Sequence, residues 1–377
     1  MRIAILGSVA LPVPPVYQGG TEWIAYYQAK GLSQRGHKVI LFAAAGSAKE
    51  NGYELVEVGR GDTVAGSKNG MVGFVESSRN LRKENVCLAQ VIQKLIDRKD
   101  DYDLILNNMR GEAVFLPIAK MLDKPFVNVM HLPIFPELSE IFKQYQTHII
   151  TISNAQRKDF PDLNYLATVG NCVDTEKYVF NPKSEDYLLM MGTIGRHKNQ
   201  GAAIRVAKKL GMKLVLAGKI RDQDYYNELQ KDIDGEIIRH VGEVGFEEKL
   251  KLYQDAKAFI FPILWPEPFG LVMIEAMACG TPVVAFGNGA ILEVVRDGKT
   301  GYIINSNDKT QISNQIQNSK FKIQQTGIEG LVEAVKRING MSEEEYQLLR
   351  KNCRKHVEDH FSVEKMVAAY EKALLNI

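Results

Sequence analysis

Two carboxylates, Glu267 and Glu275, stand eight positions apart in LWPEPFGLVMIEAMACGTPVVAF, a stretch from Leu264 to Phe286 that otherwise reads as buried core. A carboxylate in such company needs a partner, because an unpaired charge away from water is costly. The loop LWPEPFG follows the strand candidate AFIFPI and leads into a helix, LVMIEAMACG, that stops at Gly280 before Pro282 opens the next strand. At that helix start the backbone N–H groups of Gly270, Leu271 and Val272 are free to meet an anion. Glu267 precedes the helix and Glu275 lies about one and a half turns inside it, so the two carboxylates can face one cleft at different depths. Acceptor-only groups suit vicinal hydroxyls, of which a nucleotide sugar has two sets. The competing reading is an ion-paired core couple.

Three further loops carry unusual residues. In PPVYQGGTEW, Gly19 and Gly20 sit just before a helix beginning near Thr21, a place where backbone amides can approach a phosphate. A structural turn with Thr21 as cap explains the same residues. In NVMHLP, His131 ends a strand, either as a structural histidine or as a hydrogen-bond partner for a sugar or phosphate. Asn107 and Asn108, ending another strand, are neutral partners of the same kind. In MGTIGRHKNQGAAIRVAKK, Arg196 and Lys198 fall in a strand-to-helix turn, where cations face a diphosphate or merely the solvent.

The elements that must position these residues alternate between β-branched runs and helical patterns. RIAILGS, KVILFAA, DLILNN, PFVNVMH and HIITIS form a first series, with the amphipathic TEWIAYYQAKGLSQRG between the first two. YLLMMG, KLVLAGK, IIRHVGEV, AFIFPI, TPVVAF and GYIIN form a second. Such alternation gives βαβ units and a parallel sheet, so two doubly wound halves are expected in tandem, joined near Val173 to Asp186. Ligands bind beyond the carboxyl ends of such strands, which is where all four loops lie. After a polar stretch rich in Asn, Gln and Lys from Asp308 come three helices, the last of them SVEKMVAAYEKALLNI, capped by Ser362.

Composition narrows the function classes. The 377 residues suit two domains. The net charge of +2 gives no polyelectrolyte signal for nucleic acid, and basic clusters such as RKNCRK read as solvated helix faces. The four cysteines form no CxxC pair, so neither a metal knuckle nor a disulfide framework is expected. The apolar start MRIAILGSVALPV is read as a first strand, since Pro12, Pro14 and Pro15 follow at once and no cleavage site is clear. A dehydrogenase is disfavoured, because LGSVALP lacks the glycine fingerprint and LFAAAGS the acid that would follow it.

The segment EPFGLVMIE resembles the E-x7-E signature of retaining glycosyltransferases of family 4, whose GT-B fold has two Rossmann-like domains facing a central cleft. The segments GGTEWIAYYQAKGLSQRGHKVILF, ISNAQRKDF, NCVDTEKYVF, LVLAGKIRDQDYY, HVGEV and GAILEVVRDGKTGYII resemble other parts of that family, so the similarity runs over nearly the whole chain. PVPPVYQGGTE and PILWPEPFGLVMIEAMACGTPV look closest to the subgroup of avilamycin biosynthesis.

The resemblance implies an acceptor-binding domain over residues 1–175, a nucleotide-sugar-binding domain over 176–361, and a C-terminal helix, 362–377, that returns to the first. It implies that Glu275 binds the donor ribose and Glu267 the transferred sugar. Phe269, Gly270, Leu271 and Val272 would meet sugar and diphosphate through the backbone, and Gly19 and Gly20 would close on the diphosphate from the other domain. Val241 and Gly242, in HVGEV, belong to its nucleotide-side loops. His131 matches a histidine near the donor sugar, and Lys198 a lysine that meets the diphosphate. The family's arginine falls on Thr193, so Arg196 must reach back or phosphate binds more weakly; Asn108 stands where many relatives have a histidine. The implied reaction is metal-independent front-face transfer from a UDP- or GDP-sugar to a glycan, lipid-linked or small-molecule hydroxyl. No further cofactor is expected, and the setting is cytoplasmic, with peripheral contact at the inner membrane face for a lipid-linked acceptor. The alternatives are a phosphorylase or epimerase of the same fold, and a catalytically weak or inactive nucleotide-sugar binding protein.

Overall fold

A computed structural model of the chain describes residues 1–15, 19–59, 74–306 and 327–377, excepting the side chains of 74–78. It divides into two compact units, Met1–Asn171 with Val363–Ile377, and Cys172–Ser362. The loop from Gly59 to Ser78, whose sequence carries no readable code for an acceptor, and the polar stretch noted from Asp308 both lie largely outside the described residues.

The first unit is built on a seven-stranded parallel sheet of order β3-β2-β1-β4-β5-β6-β7. Its strands are β1 (Arg2–Leu6), β2 (Lys38–Ala43), β3 (Tyr53–Glu57), β4 (Leu104–Asn107), β5 (Phe126–Met130), β6 (His148–Thr151) and β7 (Tyr165–Thr168). The central strands are continuous apolar runs because helices cover both sheet faces; Ile3, Ala4, Ile5 and Leu6 of β1 are fully buried. Helix α1 (Gly20–Gln34) follows β1, with Gly19 at its N-cap position and no side-chain cap, so Thr21 is not the cap. The terminal helix Val363–Leu374 packs on α1. A Cβ at Gly31 would stand 2.3 Å from Val367 Cγ2, so only glycine admits this helix so closely. Arg35 and His37 then hold Glu371 at 2.7 and 3.0 Å.

The second unit carries a six-stranded parallel sheet, β10-β9-β8-β11-β12-β13. The strands are β8 (Tyr187–Met191), β9 (Lys213–Ala217), β10 (Ile238–His240), β11 (Ala258–Phe261), β12 (Val283–Phe286) and β13 (Gly301–Ile304). Both sheets run outward in two directions from a central pair, β1 and β4 in one, β8 and β11 in the other. The crevice beside such a pair, at the carboxyl ends of the strands, is the binding position of a doubly wound sheet.

In the second unit the loops at that edge are drawn together by backbone contacts. Gly192 N donates to Ala217 O at 2.9 Å, and Gly218 N to Gly242 O at 2.7 Å. Gly218 has φ +147, and a Cβ there would fall 2.0 Å from Gly192 O, so no larger residue fits between these turns.

The helix Glu343–His360 opens with a full capping box: Ser342 Oγ accepts from Glu345 N at 3.2 Å, and the Glu345 side chain accepts from Ser342 N at 2.9 Å. Its basic run is only in part a solvated face: Lys351 and Lys355 are exposed, but Arg350 and Arg354 turn inward. Arg350 is completely buried and donates to the carbonyls of Asn181, Gln254, Ala256 and Cys279. Arg354 donates to those of Thr175, Tyr178 and Ala278. The buried guanidinium of Arg350 is tolerated because carbonyl dipoles replace water. Together the two arginines fasten the segment 175–181 to the end of helix α8 (Leu271–Ala278), which carries Glu275.

Candidate functional site

Lys198 comes from the turn after β8, and Glu267 from the loop after β11, the neighbouring strand. Lys198 Nζ donates to Glu267 Oε2 at 3.2 Å, with the two side chains only 18% and 11% exposed. Trp265 Nε1 donates to the same oxygen at 3.1 Å. The ammonium also lies over the rings of Trp265 and Phe261, 5.3 and 5.6 Å from their centroids. Bonds to main-chain carbonyls hold both loops: Asn199 Nδ2 to Pro262 O at 2.9 Å, Asn288 Nδ2 to Ile263 O at 2.8 Å, and Ala290 N to Glu267 O at 2.9 Å. Gly289, at φ +61, lets the two loop segments approach; a Cβ there would be 2.5 Å from Glu267 O.

Behind Glu267 the chain turns through Gly270 (φ +86) into helix α8. Met273 N bonds to Gly270 O, while Leu271 and Val272 present first-turn amides of the kind that bind anions. Phe269 is buried, packed edge-on against Phe361.

Glu275 has its own set of partners. Tyr178 OH donates to Oε1 at 2.6 Å, Lys249 Nζ to the same oxygen at 3.0 Å, and Tyr253 OH to Oε2 at 2.9 Å. Tyr253 is fully buried and its hydroxyl is held far above its usual range, first by desolvation and then by the charge of Glu275, so it stays a donor. Tyr178, Lys249 and Tyr253 were not singled out from the sequence. They lie 97, 26 and 22 positions from Glu275, and only the register KLKLY, which puts Lys249 and Tyr253 one helical turn apart, hints at a shared face.

The structure thus brings Lys198 and Glu267 together and sets Glu275 on the adjoining helix. Arg196 does not join them: its guanidinium bonds Glu228, lies 3.9 Å from Asp222, and stacks over Tyr225 at 5.2 Å. Thr193 contributes its carbonyl, which accepts from Gln200 Nε2 at 3.0 Å. Val241 and Gly242 follow β10, where Val241 N bonds Leu216 O at 3.0 Å and Gly242 (φ +77) faces open space.

In the first unit, His131 Nε2 lies 2.9 Å from Asn108 Oδ1, and Asn108 Nδ2 donates to Gln28 Oε1 of α1 at 2.7 Å. Burial lowers the His131 pKa from 6.5 to about 4, so the ring is neutral near pH 7. A neutral ring that donates through Nε2 has Nδ1 left as an acceptor. Gly19 and Gly20 open α1, and beside them Ser8 Oγ donates to the buried Glu22 at 2.9 Å. No group of three or more His, Cys, Asp or Glu side chains placed to hold a metal occurs among the described residues. No helix among them is long and apolar enough to cross a membrane.

Residues 174–319 match the model of Glycosyl transferases group 1, and residues 18–177 that of Glycosyltransferase Family 4. The chain is 36% identical over 341 residues to a phosphatidyl-myo-inositol mannosyltransferase of Mycobacterium leprae, across 84% of this chain and 86% of the relative. It is 33% identical over 125 residues to an uncharacterized glycosyltransferase of Methanocaldococcus jannaschii, spanning 31% of each chain. To an O-antigen chain mannosyltransferase of Salmonella typhimurium it is 27% identical over 201 residues, 51% of this chain and 54% of the relative. Among solved structures, a glycosyltransferase involved in avilamycin A biosynthesis matches with TM-score 0.69 and 22% identity, over 99% of this chain and 97% of that one. The Anabaena protein HepE, crystallised with UDP and glucose, matches with TM-score 0.72 and 17% identity over the whole of both chains. These likenesses to solved structures establish the fold.

Proposed function

This chain belongs to the GT-B glycosyltransferases that pair a family 4 segment with a group 1 segment, and on that premise we propose that it moves a sugar from a nucleotide-diphosphate sugar to an acceptor hydroxyl with retention of anomeric configuration. The observation that carries this reading is the Lys198–Glu267 pair at the central crevice of the second sheet, beside a helix start with open amides.

Breaking a sugar–phosphate bond builds negative charge on the diphosphate and positive charge on the ring. Lys198 and the amides of Leu271 and Val272 stabilise the first. Glu267 accepts hydroxyls of the transferred sugar and faces the charge that grows on it. Glu275 binds the ribose diol, which exchanges with one of its present donors. In front-face transfer the acceptor hydroxyl attacks from the side of the departing phosphate and gives that phosphate its proton, so the chain supplies no nucleophile and no metal is required. On the first unit, the neutral His131 offers Nδ1 as an acceptor for a sugar hydroxyl, and the backbone at Gly19 and Gly20 suits a phosphate. The donor is a UDP- or GDP-sugar and the acceptor a glycan, lipid-linked or small-molecule hydroxyl. The setting is cytoplasmic; a lipid-linked acceptor brings contact with the inner membrane face, which flotation with anionic vesicles tests.

The test is thermal stabilisation by UDP, GDP and ADP in chelator, followed by nuclear magnetic resonance of the transferred anomer. A diphosphate at a hundred times its Kd adds about 2.7 kcal/mol to the folded state. Stabilisation by one diphosphate and a product of unchanged anomeric configuration is the expected result. No stabilisation by any of the three, or an inverted product, overturns it. A specific feature favours a second reading, a weak or inactive binding protein: Thr193 supplies no cation, and Arg196 is engaged with Glu228. Diphosphate binding without turnover of any donor would select it.

A further inference from the structure

Trp265 makes two contacts with the pair at the crevice, and neither is generic packing. Its indole N–H shares Glu267 Oε2 with Lys198, and its ring face lies under the Lys198 ammonium. A third contact, edge-on with His197 at 6.0 Å, fixes the ring against the turn that carries Lys198. Both bonds to Glu267 fall on one oxygen. Among the described residues Oε1 accepts from no side chain, so it is the oxygen left to accept from a ligand.

Lysine alone would not give this order. An ammonium is a point charge on a flexible stem and binds either carboxylate oxygen at many angles. The indole N–H is directional, and its ring position is fixed by the loop. A neutral donor also leaves the negative charge of Glu267 intact for the developing positive charge on a sugar ring. Beneath Lys198, the rings of Trp265 and Phe261 hold the cation without neutralising it, which leaves it free to swing to an incoming diphosphate.

We propose that Trp265 is a positioning residue for sugar transfer: its N–H aims Glu267, and its ring keeps Lys198 in place until a diphosphate takes it. This rests on the glycosyltransferase reading above. Trp265→Phe keeps the ring and removes the N–H, while Trp265→Leu removes both. Loss of a directed bond to a transition-state group is expected to lower kcat about tenfold in Trp265→Phe, with KM for the donor changed less than about threefold. Trp265→Leu is expected to lose a further factor of about ten. The chain has two tryptophans, Trp23 and Trp265, so in a Trp23→Phe background the emission reports Trp265 alone. Saturating UDP or GDP should change that emission as the ammonium leaves the ring, and Lys198→Met should abolish the change.

If Trp265→Phe turns over at the wild-type rate, the positioning role is wrong while the wider reading stands. The same holds if Phe and Leu variants lose activity equally and in step with their melting points. If the wild-type protein neither binds a diphosphate nor turns over a donor, the wider reading fails and Trp265 loses its role with it.

Discussion

Lys198 Nζ and Glu267 Oε2 meet at 3.2 Å, although 69 positions separate the two residues in the chain. Their loops follow β8 and β11, adjacent strands from which the second sheet runs outward in both directions. A charge pair so little exposed keeps its strength in salt better than a surface pair does.

Removing either charge should therefore cost rate and stability together. Lys198→Met and Glu267→Gln are each expected to lower turnover about 10²- to 10³-fold. Each should also destabilise the fold by about 1–3 kcal/mol, because the partner is left desolvated. The double variant should lose less stability than the sum of the two. Denaturant titration of the four proteins closes the cycle, and strict additivity would contradict the pairing.

Glu275 separates binding from folding in a different way. In Glu275→Gln one amide oxygen remains to accept from the buried Tyr253, so stability should fall by no more than about 1 kcal/mol. Loss of the anionic acceptor should nevertheless weaken diphosphate nucleotides about tenfold or more. Glu275→Leu should weaken them similarly but cost about 1–3 kcal/mol more in stability, because the Tyr253 hydroxyl is then orphaned. Calorimetric titration with UDP or GDP, beside melting curves of the free proteins, checks both halves.

What could be read in the chain and what could not has a physical division. The runs YLLMM, KLVLA and AFIF were legible because a parallel sheet covered on both faces needs unbroken apolar strands. The strands β3, YELVE, and β7, YLAT, were not, since they lie at the two edges of the first sheet and are only partly buried. The loop order of Glu267, Gly270 and Glu275 was visible in the local pattern. The partners of Glu275 were not, because helix α7 (Phe246–Asp255) and the segment near Tyr178 meet it only after folding. Arg350 and Arg354 read as solvated charge because composition does not distinguish a guanidinium facing water from one facing buried carbonyls.

His131 predicts a pH dependence. Its folded pKa is lowered by desolvation, from 6.5 to about 4. As pH falls through that window the unfolded chain takes up a proton that the folded chain refuses, so stability declines. Complete desolvation would put a ceiling of about 3 kcal/mol on the effect, and the partial exposure of the residue lowers it. His131→Gln keeps a donor toward Asn108 and should flatten the decline. The buried His356, also lowered mainly by desolvation, leaves a residual slope. Melting curves from pH 7 to pH 4 decide it; parallel curves for the two proteins would rule out a lowered pKa at His131.

Arg350 carries the last prediction. Its guanidinium serves four main-chain carbonyls and the hydroxyl of Tyr346, all in the second unit and none of them a carboxylate. Arg350→Met fills much of the same space with an apolar stem but removes the arginine donor from all four carbonyls, of which those of Cys279 and Gln254 keep a bond from Asn181. The expected loss is more than about 3 kcal/mol, since several buried acceptors lose a charged donor at once. Arg350→Lys, with three donors in place of five, should recover only part of it. Because Arg350 and Arg354 together fasten 175–181 to the end of α8, Arg354→Met should act differently. It is expected to loosen Tyr178 from Glu275 and so change nucleotide affinity more than it changes stability. Hydrogen exchange at the amides of 175–181, measured with and without nucleotide, reads that loosening directly. Protection unchanged in Arg354→Met would show that the segment is held by other contacts.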